Sequence, residues 1–211
     1  MAMLGVVPGL HLAAPRDEST LRRALRESIA IADAPSVVRF PKGALSPDIP
    51  SVRTQGGIDV LFDHDQDEVD VLIVAIGSFC SISLDVAARL RDQGITTRVV
   101  DPRWALPISP ELVDMCRKGR RVVVIEDGVR VGGIGAGISQ AMQDAHVVAP
   151  TRLFGIPRTF LPHGKRPQIL EHIGLSSQQI SRDIVEWVAA EPADSPTSEE
   201  TQRPVPRTAG P

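Results

Sequence analysis

Val69-Asp-Val-Leu-Ile-Val-Ala-Ile-Gly-Ser78 decides the fold. From Val71 to Ile76 every side chain is apolar, the pattern of a strand whose sheet is covered on both faces. Gly77 and Ser78 then turn the chain into a helix that runs to Leu90 and is ended by Gly94. Towards the C-terminus the pattern repeats. Strands are expected at 96–100, 121–125 and 151–155. Between and after them come helices at 111–118, with Pro110 in its first turn, at 134–145, and at 178–189, capped by Ser176 or Ser177. Strands alternating with helices predict an α/β fold, an open and mostly parallel sheet with helices on both faces. Residues 69–190 read as one complete domain.

Towards the N-terminus, residues 44–68 change character. Pro47, Pro50, Gly56 and Gly57 punctuate them, His64-Asp-Gln-Asp-Glu68 is an acidic turn, and the stretch reads as a linker with one short strand at 58–62. Before it, residues 1–43 carry a βαβ unit. A buried strand at 10–14 is followed by a helix N-capped by Asp17, with Leu21, Ala24, Leu25, Ile29 and Ala32 at helical spacing, and then by a strand at 36–40 stopped by Pro41-Lys-Gly43. The chain opens abruptly on apolar material, so something upstream is expected to be missing. Residues 191–211 hold five prolines and one large aliphatic, Val205, and are expected to form a disordered tail.

The 211 residues are 42% hydrophobic and 23% charged, the balance of a globular protein. A net charge of −3 argues against a nucleic-acid partner, which requires an excess of cations, and the 3% aromatic content without tyrosine argues against a stacking platform. No apolar run is long enough to cross a bilayer and no leader pattern precedes the first strand, which places the chain in the cytoplasm without a membrane partner. Cys80 and Cys116 form no Cys-x-x-Cys pair, and the five histidines show no metal-ligand spacing. Both cysteines are expected to be buried thiols.

The loop Val131-Gly-Gly-Ile-Gly-Ala-Gly137 invites a dinucleotide reading, but after Gly133 and Gly135 the third glycine should fall at Ile138. The favoured reading is that these glycines let a helix approach its sheet closely. Glu126 and Asp127 end a parallel strand, where open α/β sheets place ligands, or else they cap the next loop. Arg39 and Lys42 flank a turn at another strand end, where a cation beside freed amides suits a phosphate.

Several separated segments resemble one family. Val7-Pro-Gly-Leu-His-Leu-Ala-Ala-Pro-Arg-Asp17, Val37-Val-Arg-Phe-Pro-Lys-Gly43, Val99-Val-Asp-Pro-Arg-Trp-Ala-Leu-Pro107, Val124-Ile-Glu-Asp-Gly128 and Gly155-Ile-Pro-Arg-Thr-Phe-Leu161 occur in the order found in 1-deoxy-D-xylulose-5-phosphate synthases. That resemblance implies the end of a pyrimidine-binding domain (1–43), a linker (44–68) and a transketolase-type C-terminal domain (69–190). The family joins pyruvate to glyceraldehyde 3-phosphate with release of carbon dioxide, for isoprenoid precursors. Its carbanion chemistry comes from thiamine diphosphate held through Mg²⁺.

The sequence contains no Gly-Asp-Gly motif, so by this resemblance the chain alone binds neither cofactor nor metal and carries no catalytic residue. Lys42 stands where the family's turn places an arginine that binds the sugar phosphate; Arg39 is grouped with it as substrate-binding because it belongs to the same turn, where its expected role is structural. Two readings follow. One is the C-terminal part of such a synthase, inactive by itself. The other is an interaction module that pairs as a homodimer, with a full-length paralogue, or with a separate N-terminal subunit. A nucleotide-binding regulator fails on the glycine spacing.

Overall fold

The computed structural model describes residues 1–43 and 46–190; the expected tail at 191–211 lies outside the described residues. The elements in order are β1 (His11–Ala13), α1 (Glu18–Ala30), β2 (Ser36–Val38), β3 (Arg53–Gln55), β4 (Ile58–Asp63), β5 (Val69–Ile76), α2 (Cys80–Asp92), β6 (Thr97–Asp101), β7 (Trp104–Leu106), α3 (Pro110–Cys116), β8 (Gly119–Val129), α4 (Ile134–Asp144), β9 (Thr151–Ile156), α5 (Arg166–His172) and α6 (Ser177–Ala189).

Six strands form the main sheet in the order β3-β4-β6-β5-β8-β9. β6, β5, β8 and β9 are mutually parallel, and β4 joins β6 antiparallel. The apolar run of β5 divides by parity, as a strand must. Leu72, Val74 and Ile76 pack with Leu112 and Met115 of α3 and with Ile134, Ile138 and Met142 of α4. Val71, Ile73 and Ala75 face Val86, Ala87 and Leu90 of α2 and Ile180 and Ile184 of α6. Both faces are covered, which is why the strand reads as continuous. Removing one such side chain, as in Leu72→Ala, costs about 2–5 kcal/mol.

The stretch 44–68 is more than a linker. Gly56 and Gly57 take φ of 55° and 80°, the left-handed pair of a two-residue hairpin, and they fold β3 back on β4. Ile58 and Val60 then enter one core cluster and Leu61 the other, so β4 is an integral strand of the main sheet. Its apolar residues gain burial that a solvated connection could not provide.

The βαβ unit forms a separate three-stranded sheet, β2-β1-β7. β1 and β2 are parallel, and β7 adds antiparallel to β1. Only Pro102 and Arg103 separate β6 of the large sheet from β7 of the small one, the shortest of the chain's three passages between the sheets. The Asp17 carboxylate caps α1 at Thr20 N (2.8 Å) and also accepts from Ile49 N (2.9 Å), holding the following loop to the helix start. Burial works to raise the Asp17 pKa, but the bonds from Ile49 and Thr20 outweigh it and hold the carboxyl below its usual range.

Candidate functional site

Near its C-terminal end strand β8, which runs on to Val129, carries two adjacent buried acids whose side chains part company. Glu126 turns into the glycine loop. Its Oε2 accepts from Ile134 N (3.0 Å) and its Oε1 from Gly135 N (2.9 Å), at the start of α4. These are amides that have no partner inside their own helix, and a carboxylate there also meets the positive end of the helix dipole. A Cβ on Gly133 would overlap the Val129 carbonyl oxygen and lie 2.5 Å from Glu126 Oε1; one on Gly135 would lie 3.0 Å from Leu153. The glycines therefore make room for the strand's own carboxylate and for the approach of α4 to the sheet. Burial raises the Glu126 pKa, while the Gly135 and Ile134 amides pull it back.

Asp127 turns the other way, towards the small sheet. Its Oδ2 lies 2.8 Å from Arg39 Nη1, 3.0 Å from Arg166 Nη2 and 3.4 Å from Ser78 Oγ. Arg39, expected at a substrate-binding turn, is thus engaged with a buried acid of the large sheet. Lys42 lies three residues further on, exposed, with no hydrogen bond or ion pair among the described residues. The pattern at 36–43 located Arg39 and Lys42, whereas Arg166 was missed: α5 has no buried residue and so no apolar signature.

A second polar centre joins the sheets. Arg16 Nη1 meets Asp59 Oδ2 at 2.8 Å and Asp101 Oδ2 at 2.7 Å, and its Nε donates to Ile49 O at 3.0 Å. Two buried carboxylates share one guanidinium. Burial pushes the Asp101 carboxyl up to about 6, with Arg16 pulling it down and Asp59 adding to the rise. Arg103 of the inter-sheet link bonds Glu27 of α1 (2.7 Å), as does Trp104 Nε1 (3.0 Å).

A mostly parallel sheet, with the helix after its third parallel strand capped from within, defines a transketolase-type C-terminal domain. The chain belongs to that family: residues 62–180 match "Transketolase, C-terminal domain". Within it, the chain corresponds to the C-terminal part of 1-deoxy-D-xylulose-5-phosphate synthases. It is 46% identical to the enzyme so named from Frankia casuarinae over 215 residues, covering 100% of this chain and 33% of that one. Against the synthase of Mycobacteroides abscessus it is 47% identical over 191 residues, 90% of this chain and 30% of the relative. The chain spans about a third of the length of the curated relatives it matches. Among solved structures, a "Split gene transketolase, inactive beta4 tetramer" superimposes with a TM-score of 0.72 at 26% identity, covering 89% of this chain and 60% of that one. Transketolase from Pichia stipitis, at TM-score 0.70 and 21% identity, covers 89% of this chain and 26% of its own and shares the fold.

Among the described residues no group of three or more His, Cys, Asp or Glu side chains is placed to hold a metal ion. The α4 amides, where a phosphate could sit, are taken by Glu126. Cys80 and Cys116 are both buried free thiols. No helix among the described residues is long and apolar enough to cross a membrane.

Proposed function

We propose that this chain acts as the C-terminal part of a 1-deoxy-D-xylulose-5-phosphate synthase, joining pyruvate to glyceraldehyde 3-phosphate only together with the remaining two-thirds of such an enzyme. The supporting observation is the run of 46% identity along the whole chain, through both sheets and the turn between Arg39 and Gly43. In this reading Lys42 receives the substrate phosphate. Lysine supplies the charge of the family's arginine without its bidentate fork, so it holds the phosphate less tightly and with less directional control. Arg39, fixed on Asp127, shapes the turn that carries Lys42.

The reading is tested by assaying pyruvate and glyceraldehyde 3-phosphate with thiamine diphosphate and Mg²⁺. The chain alone is expected to match a no-protein control, and a protein carrying the preceding two-thirds of a relative is expected to restore turnover. Turnover by the chain alone overturns the reading.

The split transketolase neighbour favours a second reading, a separately made subunit that associates with its own copies. Sedimentation at micromolar concentration decides it: a dimer or tetramer supports the subunit reading, and a clean monomer removes it.

A further inference from the structure

We infer that Arg39 and Arg166 form a seat for a small phosphate-bearing anion, separate from Lys42, with Asp127 as its buried anchor. The two arginines come from distant segments, one after β2 and one at the start of α5, yet both reach the same oxygen, Asp127 Oδ2, at 2.8 Å and 3.0 Å. The pairing is end-on. A guanidinium that grips a carboxylate with its fork spends two N–H groups on two oxygens. Here both arginines crowd onto Oδ2, and Oδ1 is buried with no partner among the described residues. Each guanidinium therefore keeps its remaining N–H groups, and neither makes another side-chain hydrogen bond among the described residues.

Exposure points the same way. The Asp127 side chain is 1% exposed, while Arg39 and Arg166 are 31% and 46% exposed, so the carboxylate lies beneath and the donors face out. Arg166 is steadied from below by the Phe79 ring, 5.8 Å from its guanidinium carbon. Glu126 also lies within Coulombic reach of Arg39 but is engaged by the α4 amides, so the two cations outnumber the one carboxylate they contact. The segment leading to it, Pro157 to Arg166, adds Arg158, His163 and Lys165 and contains no acid. The place is the carboxyl end of β5 and β8, where parallel sheets receive ligands. Two planar donor groups held on one carboxylate oxygen, ahead of any ligand, offer N–H groups to the oxygens of a phosphate monoester or of inorganic phosphate.

The test titrates the full chain with inorganic phosphate at low ionic strength, following the arginine Nε resonances by NMR. Saturable binding in the millimolar range is expected, with two arginine signals moving together. Arg166→Ala is expected to weaken it at least fivefold and Arg166→Lys to weaken it less. A folded Arg166→Ala protein with unchanged phosphate affinity overturns the seat and leaves Arg166 a structural latch. Should that variant not fold, arginine signals of the unaltered chain that stay still on phosphate addition overturn it equally. A parallel titration with glyceraldehyde 3-phosphate separates this seat from the substrate turn. Loss of that binding in Lys42→Ala bears on the proposed function alone, and loss in Arg166→Ala alone assigns the sugar phosphate to the seat.

Discussion

Between Val71 and Ile76 the six-stranded sheet meets its helices through side chains without a polar atom, whereas the three-stranded sheet and α1 add, to the apolar contact of Leu10, Leu12, Ala14 and Ala105 with that core, three buried or half-buried arginines, Arg16, Arg39 and Arg103, each on a carboxylate of a distant segment. Apolar burial is non-directional and tolerates small shifts in packing. A buried ion pair tolerates almost none, because losing one partner strands the other's charge. The large sheet is therefore expected to unfold as one body, and the small sheet, which shares part of that core through Leu12 and Ala14, to depend in addition on a few ion pairs. The two tryptophans report on the two regions, since Trp104 lies in β7 and Trp187 in α6 between Arg121 and Arg152.

The largest effect is expected from Arg16→Ala, which leaves Asp59 and Asp101 buried without their cation and costs about 3–5 kcal/mol. In urea denaturation of single-tryptophan variants, the Trp104 transition should fall well below that of Trp187. Leu72→Ala should instead move both together. Coincident transitions in Arg16→Ala would break the comparison and make the two sheets one cooperative unit.

Next comes a pH dependence at the junction of the two sheets, where Asp101 ends β6 and meets Arg16. The folded Asp101 carboxyl stands at about 6, above its unfolded value, so its contribution is full in the protonated form and declines as pH rises. Glu27 and Asp17, both held below the usual carboxylate range, give the opposite slope, so the Asp101 part is read as a difference: between about pH 4 and pH 6 the unaltered chain should lose stability at Trp104 relative to Asp101→Asn. A difference that grows in favour of the unaltered chain across the same window contradicts the assignment.

Within the large sheet the glycine loop sharpens the contrast. Gly133→Ala drives a methyl into the Val129 carbonyl and the Glu126 carboxylate and should cost about 1–3 kcal/mol by thermal denaturation. Glu126→Ala removes the acceptor for two helix-start amides and should cost about 1–2 kcal/mol, with Glu126→Gln in between. Gly137→Ala, with its nearest neighbour Ile108 Cδ1 at 4.0 Å, should stabilise α4 by about 0.5–1 kcal/mol. A destabilised Gly137→Ala would show that α4 packs more tightly than its contacts imply.

The parallel core was legible because its signal is local. The runs 71–76 and 121–125 became β5 and β8, and Asp17 and Ser176 cap the helices they were expected to cap. β3 was not legible. All three of its residues, Arg53, Thr54 and Gln55, are exposed, and their strand form comes from pairing with β4. β7 was missed for a similar reason, since three residues bounded by prolines take their conformation from β1. At the site, the acids at 126–127 and the cations at 39 and 42 stood out by their position at strand ends. What sequence could not say is which acid faces which cation. Glu126 and Asp127 are neighbours in the chain and opposite in direction, and Asp127's two arginine partners lie 88 and 39 residues away.

The Glu126 carboxylate can also be regarded as a tethered competitor for the α4 amides. A group joined to its site by a few residues of backbone acts at an effective concentration of about millimolar or more, and a strand end is stiffer than the flexible linkers on which that figure rests. Free nucleotides or sugar phosphates in the surrounding solution would have to outbid a rival that never diffuses away. A glycine-rich turn between a strand and a helix is thus not by itself an open receptor: when the strand supplies its own anion, the turn is self-liganded. Whether a solution phosphate can enter such a loop is decided by one side chain a few residues upstream.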